Sequence, residues 1–135
     1  MIATFSVPTR GKGLHNITQQ IADAVAKSGV REGLCTIFVQ HTSASIVIQE
    51  NADPAVLRDL ENWLSRLVRE DEPFEHAEEG PDDMPSHIRA ALTATSVAIP
   101  IMDGKPALGT WQGIFLWEHR TRGRNRTCVV HVASD

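Results

Sequence analysis

The chain has 135 residues, of which 41% are hydrophobic and 22% are charged, and its formal net charge is −4. These values indicate one globular domain with one core, without a global positive charge that would attract nucleic acid or an anionic membrane. The apolar runs are too short to cross a bilayer, and the N-terminus lacks the pattern of a signal peptide, so we expect a cytoplasmic protein. Cys35 and Cys128 fall in apolar runs without a CxxC pair, which predicts reduced packing residues.

The first half of the chain predicts three strands and one helix. An apolar run predicts a strand over residues 2–7. Residues 17–28 carry an apolar side chain every four positions and follow Asn16, which predicts an amphipathic helix with a side-chain cap. Two further strands are expected over residues 34–41 and 44–49.

A second helix and an acidic loop follow. Asp53 precedes a proline and predicts a helix start, because the carboxylate can cap the first amides and proline has no N–H to lose there. Leucines at helical spacing extend this helix to about residue 69. Residues 70–85 are acidic and rich in proline and glycine, a long connection that is typical of a functional or mobile loop. A short helix with Asp83 as its cap is expected to run to residue 92.

The last third of the chain predicts four strands. A strand over residues 96–102 is followed by a tight turn and by residues 105–108, whose proline places them at a sheet edge. Residues 109–120 are rich in aromatics and apolar on both faces, which indicates a central, covered strand. A last strand is expected over residues 127–133. The sum is an α+β fold, a β-rich antiparallel sandwich or barrel-like single domain over residues 1–135, with two to three helices.

Two of the predicted strands end on a histidine. His41 and His119 each close an apolar row where the strand leaves the core, so the two imidazoles could share one pocket rim. Glu118 and Arg120 flank His119 and would bring an acid, an imidazole and a guanidinium to one edge of the sheet. The alternative is a strand that simply reaches solvent at Glu118.

The acidic loop carries a second pair of histidines, His76 and His87. Imidazoles among carboxylates suit zinc or a similar divalent ion. Their spacing matches no compact metal motif, so a solvated loop that only covers the domain stays open as the alternative. His131, in contrast, is expected on the wet face of the last strand.

Polar residues near these histidines are candidates for substrate contacts. Thr42 and Ser43 interrupt two strands, where hydroxyls and backbone N–H groups can hold a phosphate. Arg120 opens a series of alternating arginines that could clamp a phosphate, with an exposed basic hairpin as the alternative. Glu50 is a candidate general base or metal contact. A serine nucleophile is disfavoured because adjacent residues on a strand point apart.

Four segments resemble, in order and spacing, the YjbQ family of small uncharacterised proteins. They are H-T-S-A-S at 41–45, E-N-A-D-P at 50–54, E-G-P-D-D-M-P-S-H-I at 79–88 and L-G-T-W-Q-G-I-F-L-W-E-H-R at 108–120. The resemblance implies a β-rich sandwich or barrel-like fold with helices that assembles as a homotrimer. It also implies a site near the subunit boundaries, often described with a bound metal or anion, and a label as secondary thiamine-phosphate synthase.

The resemblance and the residue chemistry together give a first assignment of roles. The expected metal ligands are His41, His76 and His87; the expected acid/base residues are Glu50, Glu118 and His119; the expected substrate contacts are Thr42, Ser43, Thr110 and Arg120. We expect a metal-assisted enzyme on a small phosphorylated metabolite, a thiamine-phosphate synthase-like transferase or a metal-dependent hydrolase, with zinc favoured over magnesium. The alternative is a non-catalytic homotrimer that binds a metal or small anion. Neither nucleic acid nor membrane is expected as a partner.

Overall fold

Three helices and eight strands make up the computed structural model, which describes all of residues 1–135. In chain order they are β1 (Ile2–Pro8), β2 (Gly13–Asn16), α1 (Thr18–Ser28), β3 (Gly33–Val39), β4 (Ala44–Glu50), α2 (Pro54–Leu67), α3 (Asp83–Leu92), β5 (Ser96–Met102), β6 (Lys105–Pro106), β7 (Gln112–Glu118) and β8 (Asn125–Ser134). The strands form two antiparallel sheets, ordered β1-β8-β3-β5-β6 and β2-β7-β4, that curl into a half-barrel. The expected β-rich antiparallel α+β fold is confirmed.

The core lies between the two sheets and α1. Ile17, Ile21 and Val25, the predicted apolar stripe of this helix, are fully buried against both sheets. Each such side chain contributes about 1.5–3 kcal/mol when it leaves water. β7 lies between β2 and β4 and is buried from Gly113 to its end, so the prediction of a covered central strand is confirmed.

The outer face of the larger sheet carries no covering helix. Outward side chains of β1, β8, β3 and β5 include Ile2, Leu34, Phe38 and Met102, each of which is exposed. Aspartate, glutamate, lysine and arginine do not occur among the outward positions of these four strands, and His131 is exposed there as predicted. We call this surface the outer face.

Several element boundaries differ from the sequence predictions. β2 was not predicted, because its four residues show no apolar alternation and acquire strand geometry only by pairing with β7. The strand expected to end at residue 41 ends at Val39, and the long strand expected from residue 109 begins at Gln112. Asp83 as a helix cap is wrong: Asp82 holds the N-cap position without a side-chain cap bond, and the Asp83 carboxylate is engaged elsewhere.

Asp53 does cap α2, since its Oδ1 accepts a hydrogen bond from the Ala55 amide at 2.9 Å. Residues 68–82 contain neither helix nor strand, in keeping with the predicted acidic loop. Cys35 and Cys128 are both buried and unbridged. None of the three helices has the length and apolar character needed to span a bilayer.

Candidate metal centre

A cluster of two histidines and one aspartate lies where the acidic loop meets α3. Asp83 Oδ2 is 2.6 Å from His76 Nε2 and 3.2 Å from His87 Nε2. One ligand atom from each of the three residues lies within 4.8 Å of the others. The helix supplies His87 and Asp83 from one face, because residues four apart lie above one another, and the loop folds back to supply His76. We call these three residues the His–Asp–His cluster.

The orientation of the His87 ring is fixed by a hydrogen bond at the nitrogen that points away from Asp83. His87 Nδ1 lies 2.9 Å from the carbonyl oxygen of Thr42. A carbonyl can only accept, so Nδ1 carries a proton and Nε2 is the nitrogen that faces the Asp83 carboxylate. The imidazolium donates from Nε2 to that carboxylate, whereas the neutral ring has its lone pair there, where a cation can bind. A backbone carbonyl behind the ring is the usual support of a metal-binding histidine. The donor set and its tautomer therefore fit a divalent ion.

Arg120 holds the acidic side of the cluster in place. Its Nη1 donates to Asp83 Oδ1 at 2.6 Å, its Nε donates to Asp82 Oδ2 at 2.9 Å, and its Nη2 donates to the carbonyl of Glu79 at 3.0 Å. The amide of Thr121 also donates to Asp82 at 2.9 Å. These bonds tie the acidic loop to the end of β7, and all three guanidinium nitrogens are engaged within the chain.

The charges of the cluster reinforce one another. Burial opposes the ionisation of Asp83, but hydrogen bonding with His76 and the charge of Arg120 outweigh it, so the pKa of Asp83 is lowered. Burial is likewise outweighed at Asp82, where Arg120 lowers the pKa to about 2. The hydrogen bond with Asp83 raises the pKa of His76, with Glu79 adding to the effect from 3.1 Å. Asp83 is therefore anionic and can bind a cation, whereas the Asp82 carboxylate is bonded to Arg120 and to the Thr121 amide.

Behind the cluster, a chain of buried polar groups ends at His119. Arg89, only 1% exposed, donates from Nε to His119 Nδ1 at 3.1 Å and also pairs with Glu61. His119 Nε2 therefore carries the ring proton and faces Ser45 Oγ at 2.8 Å. Burial, followed by the charges of Arg89 and Arg126, lowers the pKa of His119 to about 3. His119 is thus a neutral, fully bonded side chain inside the core.

This arrangement is the reverse of a serine–histidine catalytic dyad. A general-base histidine accepts the serine proton on Nε2 while a carboxylate accepts from Nδ1. Here a guanidinium donates to Nδ1, which forces the proton onto Nε2. Ser45 is also fully buried.

Glu118 lies at the end of β7 on the opposite side from His119. It is fully buried and forms an ion pair with Arg126, whose Nε donates to Glu118 Oε2 at 2.7 Å. Thr9 Oγ1 and the Arg120 amide also donate to this carboxylate. Burial opposes ionisation, but the hydrogen bonds from Arg126 dominate and lower the pKa of Glu118. The Ser43 hydroxyl and carbonyl accept from the same arginine.

The remaining expected site residues are divided between two ends of the smaller sheet. His41 lies outside the cluster: its Nε2 accepts a hydrogen bond from the Thr127 amide at 2.8 Å, although it lines the same surface depression as Thr42 and His87. Glu50 lies opposite Gln112, at the far end of the ladder from Glu118, which is about 20 Å for six residues of strand. Thr110 lies at that far end too, where its carbonyl accepts from Asn51.

Two residues of the site were missed in the sequence. Asp83 was given a capping role because it stands at a helix start, yet it is the buried centre of the cluster. Nothing in the sequence marks Arg89 as a site residue, because a single arginine in an amphipathic helix ordinarily lies on the wet face. Its helical spacing from Ser86 is not a signal either, because serine is polar and its burial is seen only in the structure.

Together, fold and site define a small β-rich protein that presents a His–Asp–His cluster on an arginine-anchored acidic loop. Residues 3–135 match the family model described as UPF0047 protein YjbQ-like, and the chain belongs to this family. It is 56% identical over 130 residues to a UPF0047 protein of Synechocystis, with 96% of this chain and 88% of that protein covered. It is 40% identical to YjbQ of Escherichia coli O157:H7, with 98% and 96% covered.

Solved structures of relatives share the fold. A YbjQ-like protein of unknown function from Sulfolobus solfataricus P2 superimposes with a TM-score of 0.92 at 27% identity, with 100% of this chain and 97% of that chain covered. A YjbQ/UPF0047 family protein from Clostridium acetobutylicum gives a TM-score of 0.89 at 36% identity, with 97% and 99% covered. The family membership expected from the sequence motifs is confirmed.

Proposed function

We propose that this protein binds a divalent metal ion through His76, Asp83 and His87 and uses it in a reaction on a small phosphorylated metabolite. The observation that carries the proposal is the orientation of His87: its Nδ1–H is bound to the Thr42 carbonyl while its Nε2 faces Asp83 beside His76. Two imidazoles and one carboxylate are a donor set that zinc accepts readily, whereas magnesium prefers oxygen ligands. Zinc is therefore the favoured ion.

Three protein ligands are the usual number in a catalytic zinc site, where a further position stays open for water or substrate. A bound ion would act as a Lewis acid on a phosphoryl oxygen and lower the pKa of a bound water. The residues of this chain would hold the ion and orient its ligands. Glu79, exposed and 3.1 Å from His76, is the carboxylate placed to accept a proton there. Metal-dependent hydrolysis or transfer fits these groups, with thiamine-phosphate synthesis as a weak side activity.

A non-catalytic metal- or anion-binding role is the second candidate, and one observation favours it. Glu118 and His119, expected as acid/base residues, are fully buried and bonded to arginines. Their side-chain polar atoms are bonded within the protein, so neither residue is available to exchange a proton with a substrate. If Glu79 also proves dispensable for turnover, the binding role gains over the enzymatic one.

We further propose that the chain forms the homotrimer implied by the sequence resemblance and that the outer face is buried in it. Its uncharged, partly apolar composition resembles the core of interfaces between identical subunits. Phe38→Asp would place a charge on β3, the middle strand of this face, and is expected to yield monomers by analytical ultracentrifugation. Trp63→Asp, a matched change at an exposed aromatic on α2, should leave the assembly intact. Trimers in both variants would contradict the assignment of this face.

Elemental analysis and calorimetric zinc titration of protein without a histidine tag test the metal site. The native protein should bind stoichiometric zinc, and Asp83→Asn and His87→Ala should each lose it. His41→Ala is the matched histidine control and should keep the ion. Failure of the native protein to bind zinc would contradict the metal site, and loss of zinc in His41→Ala would contradict the ligand assignment.

Glu79→Gln then separates the two functional candidates. With p-nitrophenyl phosphate as a generic substrate, an enzyme should keep its zinc and lose turnover by about 10²–10⁴-fold, the usual contribution of a general base. Glu78→Gln, the neighbouring exposed carboxylate, is the control. Absence of any zinc-dependent turnover on a panel of phosphomonoesters would favour the binding role.

A further inference from the structure

A polar cavity lies next to the β1–β2 connection, which packs against Thr121 at the base of the acidic loop. It has a volume of about 360 Å³ and is formed by the connection between β1 and β2 and by the first half of α2. Its lining includes three cationic side chains, Arg10, Lys12 and Arg58, together with His15 and Asn62. We call it the cationic cleft. None of the residues expected as ligands or catalysts lines this cavity.

The cleft carries uncompensated positive charge. Arg10 and Arg58 are exposed and form no salt bridge, while Lys12 is paired with Glu70 at the rim. The single carboxylate in the lining, Glu61, is already paired with the buried Arg89. On a chain with a net charge of −4, two free guanidiniums facing one cavity concentrate the local field on anions.

The wall of the cleft is held in a defined shape. The amide of Arg10 donates to His15 Nε2 at 3.1 Å, and His15 Nδ1 lies 3.2 Å from the Gly13 carbonyl, so one imidazole closes the connection into a loop. Gly11 has a φ of +120° and packs so closely that a Cβ there would lie 2.5 Å from the Thr121 carbonyl oxygen. Thr121 in turn donates to Asp82. The wall of the cleft and the acidic loop are therefore attached to the same segment.

The hydrogen bonds of Arg120 explain why an anion would bind in the cationic cleft and not beside the His–Asp–His cluster. Arg120, the arginine nearest to the His–Asp–His cluster, uses all three nitrogens on Asp82, Asp83 and the Glu79 carbonyl. A phosphate that approached it would have to displace these bonds. Arg10 and Arg58 have no such partners, and arginine binds phosphate oxygens in bidentate fashion.

A second cavity of about 500 Å³ continues from the cleft and shares Arg10 and His15 with it. Beyond the shared residues it is lined by two carboxylates, Glu50 and Asp53, which offer hydrogen-bond acceptors, and by Asn51 and Phe115. The groove thus has a cationic end and an acceptor-rich end. Each part lies within the size range of small-molecule sites.

We propose that the cationic cleft is an anion subsite, which binds the phosphate or diphosphate of a small organic ligand between Arg10 and Arg58. The hydroxyl- or amine-bearing remainder of that ligand would lie along the groove towards Glu50. The identification of the ligand as a phosphorylated substrate rests on the proposed function. Anion binding in the cleft does not itself require the metal.

Calorimetric titration with pyrophosphate tests the subsite, on the full chain as purified and again with added zinc. Arg58→Gln is the test variant and Arg66→Gln its matched control, because both arginines are exposed on α2 and both changes remove one charge, but only Arg58 lines the cleft. Native protein and Arg66→Gln should bind alike, and Arg58→Gln should bind about tenfold more weakly, the effect of one charge-assisted contact. The backbone amide resonances of Gly11 and Gly13 should shift on titration.

Each other outcome rejects a different claim. No saturable binding of pyrophosphate, or equal weakening in both arginine variants, overturns the subsite. Binding that appears only with zinc and is insensitive to Arg58→Gln places the anion on the metal, which overturns the subsite and leaves the proposed function standing. Zinc-independent binding that depends on Arg58, in a protein that takes up no zinc, supports the subsite and rejects the metal proposal.

Discussion

Replacing His119 by asparagine should make the free energy of unfolding less sensitive to pH. Burial and two arginines hold the pKa of this imidazole at about 3, against an ordinary value of 6.5. Below pH 6.5 the unfolded chain takes up a proton that the folded protein refuses, so stability falls as the pH drops from 6.5 towards 3. At about pH 5 the interval is about 1.5 units, and about 1.36 kcal/mol per unit gives a loss of about 2 kcal/mol from this residue alone.

Urea unfolding at about pH 7 and pH 5, followed by tryptophan fluorescence at fixed protein concentration and salt, measures this loss. His119→Asn keeps an acceptor for Arg89 but cannot titrate, so its loss between the two pH values should be about 2 kcal/mol smaller than that of the native protein. The variant will also be less stable at both pH values because Ser45 loses its partner. An equal loss in native protein and His119→Asn would refute the account of the buried neutral ring.

Three further changes probe the packing and the cluster. Arg89→Met should lower the free energy of unfolding by about 1–3 kcal/mol in urea titrations, because it removes the donor to the buried His119 Nδ1 and the cation that pairs with the partly buried carboxylate of Glu61. Arg66→Met on the exposed face of α2 should stay within about 0.5 kcal/mol of the native value, and similar effects of both would contradict the role of the network. Gly33→Ala should lower the free energy of unfolding by at least about 1–3 kcal/mol in the same urea titrations, since its Cβ would lie 2.0 Å from a carbonyl oxygen of β8. An unchanged urea midpoint would mean that β3 and β8 can separate enough at this point to admit a methyl group. Arg120→Lys should weaken zinc binding about 10–100-fold in calorimetry, because the bonds that orient the cluster are lost. A zinc affinity equal to that of the native protein would show that the acidic loop keeps its conformation without Arg120.

Hydrophobic spacing predicted most of the secondary structure of this protein. The stripe of α1, the leucine-rich α2, the covered strand β7 and the proline-containing edge strand β6 all follow from local patterns of side chains that bury one or both faces. The strand β2 escaped prediction because its geometry comes from pairing with β7, about 100 positions away. Motif order and spacing also sufficed to indicate the family.

Sequence motifs pointed to His76 and His87 and to the surrounding acidic residues, but the contacts among them depend on the tertiary structure. Only the fold brings Asp83 between the two rings, and only the fold sets Glu50 at the other end of the sheet from Glu118. Separation along the chain explains the difference, since His87 meets the Thr42 carbonyl across 45 positions and Arg120 meets Asp83 across 37.

The sequence by itself therefore determined the helices and all strands except β2, because local periodicity decides which face of a segment leaves water. It also determined which side chains have the chemistry to bind a metal or an anion. The tertiary structure alone decided which of these groups have no partner within the chain and so remain available to a ligand. Arg120 is bound on every nitrogen and His119 is kept neutral by Arg89, whereas Arg10 and Arg58 form no ion pair in their cleft. The physical reason is that burial and ion pairing are properties of neighbours in space, which the order of residues along the chain does not encode locally.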